Sequence, residues 1–277
     1  MPGRDILVVI DDAALAAHLL APAAVLARRF EGRLTGFFPT GLPAATSFGD
    51  LASGAQLVDA FMAAQREEAI KAEAAYRQEL GRLQLTGDWL MREADFGESV
   101  TALGRLYDLV IVGQDNPDAE SVAPRMLPED LVQALGRPVL VIPYAGEFAD
   151  FDRHVLVAWS GTREAARALY DAMFLLERAD AVTVLEVDPP GSAPGQADLA
   201  AADVVAALKR RGIAAAAVQT VSDGTPVADV ILSRAADLTA DLVVMGAYGH
   251  SRLRELVMGG VSRSIFQQMT VPVLMSH

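Results

Sequence analysis

The sequence predicts an α/β protein that contains two copies of one doubly wound domain. A chain of 277 residues is longer than one typical domain. Short Val- and Leu-rich segments alternate with amphipathic helical segments, a pattern that is typical of strands buried on both faces of a parallel sheet. Three of the apolar segments recur in the same order in both halves, which indicates an internal repeat.

The repeat defines the predicted domain boundaries. The matching pairs are Arg4 to Asp12 with Arg153 to Gly161, Tyr107 to Gly113 with Ala240 to Gly246, and Arg137 to Ile142 with Val271 to Ser276. Between Tyr144 and Asp152, Gly146 and acidic residues interrupt the apolar pattern. We therefore predict one domain at 1–146 and a second domain at 152–277.

Each copy is predicted to hold five strands joined by helices. In the second copy the predicted strands are His154–Trp159, Ala181–Val187, Ala215–Val221, Asp241–Gly246 and Val271–Met275, with helices near 162–179, 197–211, 225–238 and 260–269. In the first copy the predicted strands lie near 5–10, 33–38, 88–93, 108–113 and 138–142. Because parallel strands need right-handed crossovers, this alternation predicts two Rossmann-like domains, each with a doubly wound five-stranded parallel sheet.

The copies differ after the second predicted strand of the first copy. A Pro- and Gly-rich segment, Pro39–Gly54, precedes a long amphipathic stretch, Gln56–Leu83. We interpret the two segments as a surface insertion and a longer packing helix. The alternative is a lid or a helix that docks a partner.

Composition disfavours several classes of protein. The formal net charge is −13 and the pI is about 4.7, whereas proteins that bind nucleic acids or anionic membranes normally carry the opposite charge. No segment approaches the ~18 consecutive apolar residues of a membrane-spanning helix. The chain has no cysteine, which is compatible with the cytoplasm, where we expect the protein. Its four histidines show no metal-ligand spacing, so we predict no metal site of the protein's own.

The main chemical signal is a glycine-rich loop in the second copy. Gly246 and Gly249 follow a predicted strand, nine residues intervene, and Gly259 and Gly260 precede a predicted helix. Ligands of open α/β sheets bind outside the carboxyl ends of the strands, and a helix N-terminus offers free N–H groups to an anion. Glycine also lets a backbone approach phosphate closely. The loop therefore predicts a nucleotide phosphate site, with N–H donors around Gly259 to Ser262.

Other nucleotide and hydrolase signatures are missing. The sequence contains no Gly-x4-Gly-Lys-(Ser/Thr), no Gly-x-Gly-x-x-Gly after a strand and no Gly-x-Ser-x-Gly. This disfavours P-loop NTPases, dinucleotide-dependent redox enzymes and α/β-hydrolases.

With this loop, the second copy resembles a universal stress protein domain, and the whole chain resembles the tandem members of that family. The nucleotide-binding pattern of the family, Gly-x2-Gly-x9-Gly-(Ser/Thr), is matched by Gly246, Gly249 and Gly259, and the opening strand resembles Val155 to Thr162. The resemblance implies an adenine nucleotide alpha hydrolase-like fold and an adenine nucleotide as ligand, ATP above all, with a divalent metal able to accompany it. The residues that it assigns to the nucleotide are Ser160, Val187, Met245, Gly246, Gly249, Gly259, Gly260, Val261 and Ser262.

Both copies depart from the family pattern. In the second copy, Gly260 stands where the family has Ser or Thr, and Ser160 stands where the family has Asp. The first copy keeps Asp11 and Gly113 but has lost the other glycines, with Asn116 at the second position and Arg125 near the third. We therefore expect the first copy to be a degenerate, non-binding structural partner. The cationic loop and helix residues His250, Arg252, Arg254 and Arg263 are interpreted as solvated side chains, with nucleotide contacts as the alternative.

The leading functional hypothesis is a regulatory stress-response protein that binds ATP in the second domain. Catalysis is not predicted, and any hydrolysis would be slow or incidental. One alternative is a nucleotide-free tandem stress protein that acts through protein–protein interaction with an unknown partner. The other alternative is a nucleotide-dependent hydrolase.

The resemblance also implies that the last strand of each copy pairs edge to edge with its equivalent. Two copies in one chain allow this pairing internally, Val139–Ile142 against Val271–Met275, which covers both edges. A homodimer of the whole chain is a further expectation.

Overall fold

A computed structural model describes residues 4–41, 51–93, 96–116, 128–188, 200–247 and 260–277. The chain divides into two compact units, unit 1 at 1–137 and 147–149, and unit 2 at 138–146 and 150–277. The segment 138–146 therefore groups with unit 2 rather than with unit 1. The domain boundaries 1–146 and 152–277 stay a prediction from the sequence.

Unit 1 contains four parallel strands in the order β3-β2-β1-β4. The strands are β1 (Asp5–Val9), β2 (Arg33–Thr40), β3 (Gly87–Glu93) and β4 (Leu109–Gly113). The helices are α1 (Ala16–Arg29), α2 (Leu51–Leu83), α3 (Phe96–Gly104) and α4 (Pro128–Leu135), and a 3-10 turn at Ala13–Leu15 precedes α1. The described part of the unit is therefore the doubly wound sheet that the sequence predicts, with its fifth strand grouped elsewhere.

Unit 2 contains six strands in the order β5-β10-β9-β6-β7-β8. The strands are β5 (Val139–Ile142), β6 (His154–Trp159), β7 (Ala181–Val187), β8 (Ala215–Thr220), β9 (Leu242–Gly246) and β10 (Val273–Ser276). The helices are α5 (Arg163–Asp171), α6 (Met173–Leu176), α7 (Ala201–Arg210), α8 (Val227–Asp237) and α9 (Gly260–Gln268).

The antiparallel pairing expected for the final strand is present in the structure. β6 to β10 are parallel, whereas β5 runs antiparallel to β10 and places Leu140 opposite Leu274. This is the internal pairing of Val139–Ile142 with the final strand that the family resemblance implies. The order of the strands reverses between β6 and β9, because β7 and β8 follow β6 on one side of it, whereas β9 and β10 lie on the other side. Such a switch point is where open α/β sheets bind ligands.

The predicted helix at 162–179 is divided in the structure. α5 ends at Asp171, and α6 begins at Met173 after Ala172. Phe174, Leu175 and Leu176 are all buried, although consecutive residues of a straight helix point about 100° apart. The break at Ala172 separates this wholly buried turn from the amphipathic helix α5.

Helix α2 starts earlier than the predicted Gln56, and its second half is a packing helix, as expected. Ala69, Ala72, Tyr76 and Leu80 are buried at helical spacing. Tyr76 lies 5.2 Å from the ring of Trp89 between ring centroids, and burial raises the pKa of the phenol to about 12. The insertion Pro39–Gly54 lies mostly outside the described residues, so the lid interpretation of that segment stays untested.

Candidate functional site

The predicted site residues of the first and fourth strands of the second copy flank the switch point of unit 2. Ser160 follows the last residue of β6, and Gly246 is the last residue of β9, which pairs with β6. The carboxyl ends of parallel strands lie at one edge of the sheet, so the two positions share that edge. Val187 ends β7, the other neighbour of β6, and is half-buried.

In the turn after β6, side chains hydrogen-bond to one another and to the start of α5. Thr162 caps α5, because its hydroxyl accepts the N–H of Ala165 at 3.2 Å. The Ser160 hydroxyl lies 3.1 Å from the Thr162 hydroxyl, and Ser160 itself is exposed. The residue that replaces the family's Asp therefore extends the capping group of α5.

A buried carboxylate, which the sequence did not reveal as part of the site, occupies the first turn of α5. Glu164 is 8% exposed and pairs with Arg163 at 2.8 Å. Burial alone would raise the pKa of Glu164, but hydrogen bonds from its own N–H, from Arg163 and from Thr162 together hold it below its ordinary value. The N-terminus of α5 thus already carries an anion.

Gly246 is required by packing. A methyl group added to its α-carbon would overlap the backbone of Glu164 and Ala165 at the start of α5. Only a residue without a Cβ lets the helix approach the strand this closely. The first glycine of the predicted loop therefore has a structural reason to be glycine that does not involve phosphate.

Within the described residues, the start of α9 differs from the start of α5 because its first turn carries no carboxylate. Gly260 is the first residue of the helix and is exposed, and no acidic residue lies in its first turn. Val261 is half-buried, and Ser262 is 3% exposed and belongs to the packed face. N–H groups at a helix start attract anions, and here neither a carboxylate nor a side chain at position 260 opposes one.

Of the remaining predicted residues, one lies in the core, one is exposed on α9, and the others lie outside the described residues. Met245 is 5% exposed and is paired in register with Ala158 and Met275, so its side chain belongs to the core. Gly249 and Gly259 lie outside the described residues, as do His250, Arg252 and Arg254. Arg263 is exposed on α9.

Glu186 is a second buried carboxylate near this edge. It lies on β7, is 6% exposed, and accepts hydrogen bonds from the N–H of Ala201 at 3.2 Å and from the Gln219 amide at 3.0 Å. It therefore caps the start of α7 from the neighbouring strand. A single Glu within the apolar strand Val182–Val187 was the available sequence signal.

The equivalent edge of unit 1 holds a small pocket. Its volume is about 30 Å³, close to the volume of one water molecule in the liquid. The lining residues are Val9, Asp11, Val100, Val112, Gly113, Pro128 and Leu131. Asp11 and Gly113 are thus brought together at one edge of the sheet, as in the family pattern, around this pocket.

The start of α4 also differs from that of α9. α4 begins with Pro128, which has no N–H, and carries Glu129 and Asp130 in its first turn. This helix start therefore lacks one donor and presents negative charge. The predicted Arg125 lies outside the described residues, and Asn116 follows the end of β4.

Two features are absent from the described residues. No group of three or more His, Asp or Glu side chains within these ranges is arranged to hold a metal ion. Within the same ranges, no helix has both the length and the apolar character that a bilayer crossing requires.

Comparison with known proteins agrees with this geometry. Residues 153–277 match the sequence model of the Universal stress protein family. A universal stress protein from Archaeoglobus fulgidus DSM 4304 has a similar structure, with a TM-score of 0.74 at 16% identity over 100% of this chain and 99% of that one. A putative universal stress protein from Pseudomonas aeruginosa UCBPP-PA14 matches with a TM-score of 0.59 at 17% identity, over 99% and 93% of the two chains.

A protein of unknown function from Pseudomonas aeruginosa PAO1 is similar to the same degree, with a TM-score of 0.59 at 17% identity over 99% of this chain and 92% of that one. No curated protein sequence matches the chain. At identities this low, the structural likenesses show the fold of both halves, whereas the match at 153–277 shows the family. Residues 153–277 are therefore a universal stress protein domain, and the whole chain shares the fold of these structural neighbours.

Proposed function

We propose that the domain at 152–277 binds an adenine nucleotide, ATP, at the carboxyl ends of β6 and β9, with its phosphates at the start of α9. The observation that carries the proposal is the open N-terminus of α9, where exposed Gly260 meets no carboxylate in the first turn. The choice of adenine rests on the family resemblance, as does the accompanying divalent metal.

The proposal gives the two units different roles. The domain at 1–146 is a structural partner, because its pocket measures about 30 Å³ and α4 begins with Pro128 and two carboxylates. Nucleotide occupancy, rather than turnover, then regulates which surface is offered to a protein partner in a stress response. A homodimer and a cytoplasmic location belong to the same proposal.

The experiment is an ATP titration of the wild-type chain and the Gly260→Pro variant by isothermal calorimetry. Proline is well tolerated at the first position of a helix, where it removes one N–H and little else. A hydrogen bond to a charged group contributes about 1.5–3 kcal/mol, so we expect the dissociation constant to rise by about tenfold to a hundredfold.

A matched control is Val227→Pro, which places proline at the first position of α8 in the same unit. The preceding Pro226 already has ψ 133, the extended conformation that a following proline needs. This variant should bind ATP as the wild type does. Failure of the wild type to bind millimolar ATP, together with the absence of co-purified nucleotide by mass spectrometry, would overturn the proposal.

A second candidate is a nucleotide-free interaction protein. The observation that favours it is the engaged turn after β6, where Ser160 contacts Thr162 and Glu164 places a negative charge on the neighbouring helix start. A chain that binds a protein partner equally well with and without ATP would support this candidate. Steady phosphate release that stops in Gly260→Pro would instead favour a hydrolase.

A further inference from the structure

Strand β8 forms one edge of the unit 2 sheet. Among the described residues it pairs with β7 alone. The N–H of Val182 donates to the carbonyl of Ala214, and the N–H of Asp188 donates to the carbonyl of Thr220, both at 2.9 Å. Because backbone groups alternate in direction along a strand, even-numbered residues of β8 serve β7.

The odd-numbered residues therefore present a row of backbone donors and acceptors away from the sheet. These residues are Ala215, Ala217 and Gln219. An edge of this kind pairs readily with another extended strand, and proteins usually protect it with charged side chains. Whether β8 is protected in this way depends on the charged side chains on the strand and next to it.

Strand β3, which pairs only with β2 within the described part of unit 1, is protected in that way. It carries Asp88, Arg92 and Glu93, and Asp88 and Glu93 form ion pairs with arginines of unit 1 at 3.1 and 3.0 Å. The stretch 213–221 around β8 contains no ionisable side chain. Ala216, Ala217 and Gln219 are exposed, and Val221 is 71% exposed. The β8 edge is therefore neutral, and its exposed side chains are mostly small.

Charges of opposite sign flank the two ends of this neutral stretch. Lys209, Arg210 and Arg211 are exposed just before it, at the end of α7. Asp188 and Asp223 are exposed beside its other end, where Asp188 accepts the N–H of Ser222 at 2.7 Å. An antiparallel second copy of the same strand would meet each basic end with an acidic end.

We propose that β8 joins two copies of this chain edge to edge, in an antiparallel register centred on Ala217. In this register Ala217 faces its own equivalent and Ala215 faces Gln219, and facing residues exchange both of their hydrogen bonds. The basic turn around Arg211 of one copy and the acidic turn around Asp223 of the other then lie at the same end of the strand pair, on both sides of the two-fold axis. Elsewhere, a chain with a net charge of −13 repels its copy, so this complementary edge selects the contact.

The first test is sedimentation equilibrium of the full chain and of Ala217→Pro over a range of concentrations. Proline at 217 removes an outward N–H that β7 does not use and obstructs the edge, so the sheet keeps its internal hydrogen bonds. The wild type should dimerise weakly, as expected for a small interface, and the variant should raise the dissociation constant at least about tenfold. Circular dichroism checks that the variant is folded.

A second variant tests the flanking charges independently of the backbone. Arg211→Glu should weaken the dimer about tenfold, whereas Arg211→Lys, which keeps the charge, should change it by less than about threefold. Arg211 also lies 3.7 Å from Glu177 and over the ring of Tyr170, so the lysine variant controls for those contacts. Arg92→Glu, the same charge reversal on the edge strand β3, should leave dimerisation unchanged.

Hydrogen exchange locates the interface directly. The amides of Ala215, Ala217 and Gln219 should exchange rapidly at low protein concentration and become protected as the dimer forms. The proposal is overturned if the wild type stays monomeric at all concentrations. It is also overturned if a dimer forms without protection of these amides, or with equal affinity in Ala217→Pro and Arg211→Glu.

Discussion

The turn after β1 in unit 1 and the turn after β6 in unit 2 start from matching sequence segments and end differently. In unit 1 two carboxylates occupy the turn: Asp12 accepts the N–H of Ala14 at 2.8 Å, and Glu68 of α2 accepts the N–H of Ala13 at 3.0 Å. A 3-10 turn then precedes α1. In unit 2 the Thr162 hydroxyl caps the helix, and α5 begins at the next residue.

This difference changes the meaning of a glycine that both copies share. Because α5 begins at once, its backbone lies against Gly246 and excludes a methyl group there. At the equivalent Gly113, a methyl group would meet only Leu19 and Leu15 side chains, at 3.7 and 4.0 Å. One glycine is required by packing, whereas the other is not, although the sequence around them is nearly the same.

The starts of α4 and α9, the helices that follow β4 and β9, also differ between the two units. Unit 1 presents Pro128, Glu129 and Asp130, and unit 2 presents Gly260, Val261 and Ser262. The first set removes a donor and adds negative charge, whereas the second leaves the helix start uncharged. Two copies of one fold can thus differ in anion binding through a few residues at strand and helix ends.

The largest expected effect comes from alanine at the two glycines. Gly246→Ala should lower the free energy of unfolding of unit 2 by about 3 kcal/mol, because the added methyl group overlaps backbone that cannot move like a side chain. Gly113→Ala should change unit 1 by less than about 0.5 kcal/mol. Urea titration followed by circular dichroism measures both, and equal effects would contradict the packing account of Gly246.

The second prediction transfers the charge of α4 to α9. Val261→Glu places a carboxylate where α4 has Glu129, so it should repel phosphate and weaken ATP binding at least about tenfold, or ~1.4 kcal/mol. The reciprocal Glu129→Val should leave one ATP per chain, because Pro128 still lacks an N–H and the pocket stays small. Calorimetric affinity and stoichiometry decide both, and unchanged binding in Val261→Glu would place the phosphates elsewhere.

The third prediction concerns the caps of the two turns. Thr162→Ala and Glu68→Ala should each destabilise their own unit by about 1 kcal/mol, since each removes an acceptor from a backbone N–H. Ser160→Ala, which removes only the hydroxyl next to the Thr162 cap, should cost less than either. Thermal unfolding ranks the three variants, and a Ser160→Ala effect as large as that of Thr162→Ala would make Ser160 the true cap.

The smallest effect is a pH dependence from Glu164. Its pKa is lower in the folded protein than the ordinary value of 4.5, so its stabilising contribution is present above about pH 4.5 and is lost as the pH falls through the folded pKa. Glu164→Gln should flatten the loss of stability in this acid range and leave neutral pH less affected. Unfolding midpoints measured across that range test the prediction, which an unchanged acid profile would contradict.

Much of the fold could be predicted because the buried strands are continuous apolar segments in the sequence. Val155, Leu156 and Val157 of β6 are all at most 1% exposed, and such continuous apolar segments recur at matching places in both halves. The pairing of β5 with β10 was an expectation from the family resemblance, and in the structure both strands are wholly buried. The division between α5 and α6 could not be predicted, because it depends on how Met173–Leu176 packs in the core rather than on a local pattern.

The sequence by itself determined the repeat, the parallel sheets and the family pattern, because these follow from local hydrophobicity and from motif spacing. Only the tertiary structure decided what each motif residue does. It made Gly246 a packing glycine, joined Ser160 to the Thr162 cap, and brought Glu68 across 55 residues to the turn after β1. These roles depend on distances between segments that are remote in the chain, and no local pattern encodes such distances.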